Sequence, residues 1–344
     1  MRKFILPFLF IGICSVSFSQ NDLCIKDYAA VPLSDSLRKV FEANLRSAEK
    51  KYKADSTNEE HMIWYGRRLA YLGRYKEAID IYTRGIRLNP NNARFYRHRG
   101  HRYITLRCFD NAINDLKKAV ELVRDQVDEI EADGIPNEKN IPTSTLQTNI
   151  YYHLGLAYYL KGDNRQALLA WEKCLDISDN DDMKVATLNW LNIILRKMGR
   201  QKEADQHLLE VKDDMEIIEN HDYFDILFMY KTGNDSKLVE KTQSQETLGN
   251  STLGFALGTY YQLKGNKEKA RELFEKVVAG KQWSSFGFIA AEAELADQFL
   301  IFDFRLRICE IYLNLKPINQ KSKIQNPKST PPLISSSPAP LPQQ

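Results

Sequence analysis

A glycine followed five residues later by alanine or leucine recurs along the chain, at Gly73/Ala78, Gly162/Ala167, Gly199/Ala204, Gly233/Leu238 and Gly265/Ala270. Arg107/Ala112 keeps the spacing without the glycine. Successive second members lie 34, 55, 37, 34 and 32 residues apart, so all but one interval fall near 34. Self-similarity at such a period marks a repeated supersecondary unit rather than a set of unrelated elements.

Each unit reads as helix, turn, helix. The glycine ends the first helix, because it takes the left-handed conformation at low cost. The alanine then lets the second helix approach closely. A bulky residue follows four positions later (Tyr82, Leu116, Trp171, Leu208, Phe274), and a smaller one three beyond that (Gly85, Ala119, Cys174, Val211, Val277). Spacings of four and three keep these side chains on one helical face. Gly66, Gly100, Gly155 and Gly258, each twelve before the alanine position, admit the partner helix, and Asn192 takes that place in the fourth unit.

The stretches YGRRLAYLGRYKEAIDIYTRGIRLNP (65–90), YRHRGHRYITLRCFDNAINDLKKAVELV (96–123) and YYHLGLAYYLKGDNRQALLAWEKCLDIS (151–178) resemble units of the tetratricopeptide-repeat (TPR) family. The resemblance implies an all-α, right-handed helical solenoid of about six units with capping helices. The units fall at about 59–92, 93–126, 148–181, 185–218, 219–250 and 251–284, the fifth being degenerate, with Leu238 for alanine and Thr242 where an aromatic belongs. The organisation expected is a signal peptide over 1–19, an N-terminal segment and capping helix over 20–58, and units one and two over 59–126. An insertion over 127–147 follows, then units three and four over 148–218, units five and six over 219–284, a C-terminal cap over 285–298 and a low-complexity tail over 299–344. The caps cover the apolar ends that stacked repeats expose.

Arg2 and Lys3 followed by an apolar run from Phe4 to Phe18, with Ser17 and Ser19 at the cleavage positions, read as a secretory signal. The run is shorter than the ~20 residues a spanning helix needs. The mature chain is then expected to begin at Gln20, in the periplasm or secreted, with no transmembrane segment. With 43% hydrophobic and 27% charged residues the chain can bury a continuous core. The net charge of +3 comes from the two ends: the leader carries +2 and the tail +4, leaving residues 20–298 at −3. That balance argues against nucleic acid, whose phosphates call for a basic surplus on the folded domain. Cys24, Cys108, Cys174 and Cys309 are too sparse for a disulfide framework or a metal motif, although an oxidising compartment permits a Cys24–Cys108 bridge.

Two features carry candidate function. The interval of 55 adds about twenty residues between units two and three. Val120, Val123, Val127 and Ile130 continue a helical phase, so the second unit's last helix is expected to run on. Ser144 and Gln147 resemble a capping box that opens the next helix early, leaving a tip at 132–143 that contains Asp133 and Asn137. The other feature is the basic helix RFYRHRGHRYITLR (94–107). By the family resemblance, first helices line a concave groove, which would gather Arg67, Tyr71, Arg94, Arg97, His98, His101, Tyr152, His153, Tyr159, Asn189 and Arg196 into a ligand- or peptide-binding face. Its guanidinium groups suit carboxylates. The family's carboxylate-clamp pattern of lysine and asparagine is absent, so only the general idea of an acidic ligand transfers. Arg99, at a position where the repeat usually has leucine, calls for a carboxylate partner, with Glu131 or Asp133 as candidates.

No catalytic motif, cofactor-binding loop or bracketed metal motif accompanies these residues, and Arg94, Arg97 and Arg102 would repel a cation near His98, His101 and His153. The reading is therefore a non-enzymatic, exported scaffold for protein–protein interaction that takes an acidic segment in its groove. The alternatives are a binding or catalytic module for a small anion or sugar that uses the basic helix and the insertion, and a structural subunit whose groove a partner helix fills.

Overall fold

The computed structural model describes residues 28–243 and 248–297, so the leader, Cys24, the tail and Cys309 lie outside the described residues. Helix α1 (Asp35–Ala54) precedes six helix pairs. These are α2 (Glu59–Tyr71) with α3 (Tyr75–Leu88), α4 (Ala93–Thr105) with α5 (Phe109–Val123), and α6 (Leu146–Leu160) with α7 (Asn164–Asp176). They continue with α8 (Asp181–Lys197) and α9 (Gln201–Leu208), α10 (His221–Thr232) and α11 (Ser236–Gln243), and α12 (Leu248–Leu263) and α13 (Lys267–Val278). A last helical segment occupies 286–297. The described residues contain no strand, only one antiparallel bridge between Ile130 and Thr145.

Local chemistry sets the helix starts. Ser34, Asn58, Asn92, Asp163, Asn180 and Asn266 each accept a hydrogen bond from a first-turn amide, which would otherwise lack a partner. Between the helices of the first, second, third and sixth pairs the small-against-large expectation holds physically. A Cβ added at Gly155 would lie 2.5 Å from the Trp171 ring nitrogen, and one at Gly100 would lie 2.9 Å from Leu116. Gly155→Ala is therefore expected to cost about 1–3 kcal/mol, the usual range for overpacking a filled interior, and to lower the melting temperature without changing helix content at low temperature. An unchanged melting curve would show that the indole can move aside.

One core runs through units one to four and on to Phe255 and Phe274 of unit six and Ile289 of the last helical segment: Met62, Tyr82, Phe95, Leu116, Trp171 and Trp190 are all buried, and the Trp171 and Trp190 rings stack at 5.2 Å. Ile226, Met229, Leu238, Leu253, Leu257 and Tyr260 form a second cluster in units five and six. Leu238, in place of alanine, is buried there.

The insertion differs from expectation. Helix α5 stops at Val123 instead of running on, and Val127 and Ile130 stand 96% and 73% exposed. The phase of Val120 and Val123 does not continue because the chain is redirected by Asp128. Its carboxylate accepts from the Gln147 amide (3.0 Å) and the Thr145 hydroxyl (2.6 Å), and so meets the N-terminus of α6 where a negative charge is favoured. The capping box lies one residue later than Ser144/Gln147. Thr145 and Thr148 exchange side-chain-to-backbone bonds, while Ser144 accepts from Asn149.

Candidate functional site

The basic helix and the insertion meet. Arg67 and Arg68, on the inner face of α2, donate to the carbonyls of Ala132 (2.8 Å) and Gly134 (2.7 Å). Gly134 lies against the Tyr71 hydroxyl with no room for a Cβ. Glu131 sits 2.9 Å from Arg97 Nε and 4.0 Å from His98 Nε2, in each case without an aligned hydrogen bond. Arg94 pairs with Glu60 on α2. The loop thus folds over the basic helix, but not through the residue expected. Arg99 instead forms a two-pronged pair with Asp115 on α5, at 2.7 Å for both bonds, and donates to Thr83 on α3 at 3.0 Å. Asp115 stands one residue before the packing Leu116, so α5 already supplies the carboxylate that the leucine position demanded. Asn137 ties the tip to itself through both the amide and the carbonyl of Ile141. Burial, with help from Glu219 and Glu131 and against the pull of Arg67, pushes the Asp133 carboxyl up to about 6.

The remaining inner-face residues are covered by the chain's own C-terminal end. The segment 286–297 touches the first helices of four units. Phe286 packs at 5.3 Å from His101 on α4 and 5.5 Å from His153 on α6. Glu294 accepts from Tyr159 on α6 (2.6 Å), Lys197 on α8 and Gln262 on α12 (3.0 Å). Burial alone would raise the Glu294 carboxyl, but Lys197 and these donors hold it below its ordinary range. A helix that reaches α4, α6, α8 and α12 must lie along the face they share, so it does more than cover the last unit. Tyr152 is buried with its hydroxyl between Trp190 Nε1 (2.8 Å) and Tyr223 (3.2 Å). Asn189 is buried, and Arg196 is held by Asn192 (2.9 Å) and Asp205 (2.5 Å). Much of the face expected to line the groove is therefore occupied by the chain itself, with Tyr152, Tyr159 and Arg196 bonded to other side chains of the chain.

Sequence reasoning passed over the residue that fixes this covering segment. Arg107 stands where the other units have glycine, and it takes the same left-handed backbone, φ 63° against 72° to 84° for the five glycines. Its guanidinium donates to the Trp283 carbonyl (2.7 Å), to Glu292 (2.7 and 2.9 Å) and to the Thr105 carbonyl (2.5 Å). It also lies over the Tyr28 ring, which stacks on Trp283 at 4.3 Å. The missing glycine was the visible signal.

Three histidines line this interior. His98 and His101 turn Nδ1 toward Arg97 Nη1, at 3.1 and 3.4 Å, and His153 donates from Nδ1 to the Asn149 carbonyl at 2.6 Å. Burial first, and the neighbouring arginines second, hold all three well below the ordinary histidine range, with His153 further lowering His101. Among the described residues no group of His, Cys, Asp and Glu side chains could hold a metal ion.

Family models of helical repeats match parts of this chain. Residues 66–106 match the family described as TPR repeat, and residues 148–181 and 255–279 match the family described as tetratricopeptide repeat. The chain is 28% identical over 145 residues to serine/threonine-protein phosphatase 5 of Rattus norvegicus, covering 42% of this chain and 25% of that protein. It is 27% identical over 142 residues to BBSome complex member BBS4 of Bos taurus, covering 41% and 22%. The chain thus spans about a quarter of the length of these relatives. Among solved structures, MamA aligns at 20% identity and a TM-score of 0.39 over 52% of this chain and 92% of its own. A Parabacteroides merdae tetratricopeptide repeat protein aligns at 15% and 0.42 over 72% and 89%. With matches that fall in its first two, third and sixth helix pairs, the chain contains tetratricopeptide repeats.

Proposed function

We propose that this chain is an exported interaction scaffold that receives its partner protein on the insertion, not inside the groove. The observation that carries this reading is the exposure of four aliphatic side chains, Val127, Ile130, Ile135 and Ile141, within one short segment. Grouped exposed apolar side chains mark interaction surfaces more than scattered ones do. Arg67 and Arg68 hold the segment's backbone to α2, so such a surface would be presented in a fixed position. The apolar leader supports export, and so does the disulfide at Cys108, since such bonds persist in oxidising compartments.

A second reading, an acidic segment held on the inner face, is favoured by the helix already there, which places Glu292 and Glu294 against Arg107 and Lys197. A partner segment of that kind would have to displace one tethered at high effective concentration. The two readings separate in one experiment. Full-length mature protein is used to capture partners from the envelope fraction, beside a variant carrying Ile130→Lys and Ile135→Lys. Docking on the insertion predicts that the variant loses the partner at least tenfold. A synthetic peptide of residues 283–297 should leave the wild-type complex intact. Equal capture by both proteins would refute docking on the insertion, and release by the peptide would favour the inner face.

A further inference from the structure

Beneath Glu131 lies a cavity of about 90 Å³ between α2, α3 and α4, lined by Arg67, Tyr71, Tyr82, Arg97, His98, His101, Arg102 and Glu131. Three guanidinium groups face one carboxylate, which leaves an excess of two positive charges in a partly enclosed space. Arg67 and Arg97 are each more than nine-tenths buried, at 8% and 7% exposure. Buried charges of one sign persist only where a counter-charge compensates them.

Hydrogen bonding within the chain stops short of satisfying this cluster. Arg97 Nε, 2.9 Å from Glu131 Oε2, and His98 Nε2, 4.0 Å from Glu131 Oε1, both lack an aligned hydrogen bond, as does Glu131 Oε2, although His98 is only 4% exposed. Arg97 Nη1 faces Nδ1 of both His98 and His101, so those ring nitrogens accept. In the neutral rings the protons then sit on Nε2, which makes the unpartnered His98 nitrogen a donor. Arg67 commits one nitrogen to the Ala132 carbonyl. Glu131 supplies one carboxylate to the three guanidinium groups, so what the cavity lacks is further negative charge on acceptor oxygens.

We infer that this cavity is a binding site for a small tetrahedral oxyanion of the phosphate or sulfate class. A volume of about 90 Å³, at the ~15 Å³ a water-sized atom needs, holds about six such atoms. A free oxyanion has five, and the space excludes a peptide or sugar. A charge of −2 matches the excess on the walls. The planar guanidinium fork suits two oxygens of such an ion, and a neutral histidine donor discriminates little between phosphate and sulfate. The inference does not depend on where a partner protein docks.

The test uses the full-length protein at pH 7.5, titrated calorimetrically with inorganic phosphate, then with sulfate, against chloride at matched ionic strength. One saturable site is expected for each oxyanion and none for chloride. Arg102→Gln, which removes a partly exposed wall charge and should fold, is expected to weaken binding at least tenfold. Glu131→Gln removes the opposing carboxylate and is expected to tighten it several-fold. Arg87→Gln, an exposed arginine outside the cavity lining, should leave it unchanged. The inference is overturned if neither oxyanion gives a saturable signal. Equal losses in Arg87→Gln and Arg102→Gln would also overturn it, since they would indicate diffuse attraction to a basic surface.

Discussion

Arg107→Gly is expected to destabilise the protein even though it restores the residue every other unit uses. At φ 63° an arginine carries backbone strain of about 1 kcal/mol, which glycine would relieve. Against that gain stand the bonds the guanidinium makes. A hydrogen bond from a charged group contributes about 1.5–3 kcal/mol, and the substitution leaves the buried Trp283 carbonyl without this donor. The pair with Glu292 adds less, because that carboxylate's side chain is 40% exposed and partly screened. The net expectation is a loss of about 2–4 kcal/mol, with hydrogen exchange rising first over 283–297. Arg107→Lys offers a discriminating comparison: it keeps the strain and the charge but loses the fork, so it should be at least as destabilising as glycine. If Arg107→Gly melts at or above the wild-type temperature, the arginine does not hold the covering segment.

The residue pattern made the repeats readable because a helix pair packs through contacts only a few positions apart. Gly155 under Trp171 and Gly100 under Leu116 are spacings within one unit, visible without knowing any long-range contact. The Arg99 problem was likewise local. Its charge at a leucine position required a carboxylate, and the one that answers is Asp115, sixteen residues away on the partner helix. What could not be read is which surface the last helix covers. Glu294 meets Tyr159 across 135 positions and Lys197 across 97, distances at which no periodicity carries information. The insertion failed for a related reason. Val127 and Ile130 keep the helical phase but have nothing to pack against, and a single carboxylate, Asp128, at the start of α6 decides where the chain turns. The inner-face residues were legible as a set, because repeat register places them. Their state was not, because their occupants come from remote parts of the chain.

Mild acid should destabilise the protein steeply between pH 6.5 and 5.5. His98 and His153 are 4% exposed each, and the His101 ring lies 4.3 Å from that of His153 and beside Phe286. All three are held well below the ordinary value of 6.5, with burial as the first cause and Arg97 or Arg102 next. A histidine whose folded pKa is lowered binds fewer protons folded than unfolded, so stability is fully present above about pH 6.5 and declines as pH falls below it. All three act in this same direction, so their effects reinforce one another as the pH falls. Asp133 works in the opposite sense. Its raised pKa of about 6 means that acidification favours the folded form, but the side chain is partly solvated and its contribution is correspondingly reduced. The histidines therefore set the direction over this window. Denaturant midpoints measured from pH 7.5 to 5.5 should fall as the pH drops, and replacing His153 with phenylalanine should make that fall shallower. A midpoint that stays flat across that range would mean that these rings already carry protons in the folded state, with the arginine charges around them neutralised by some other group.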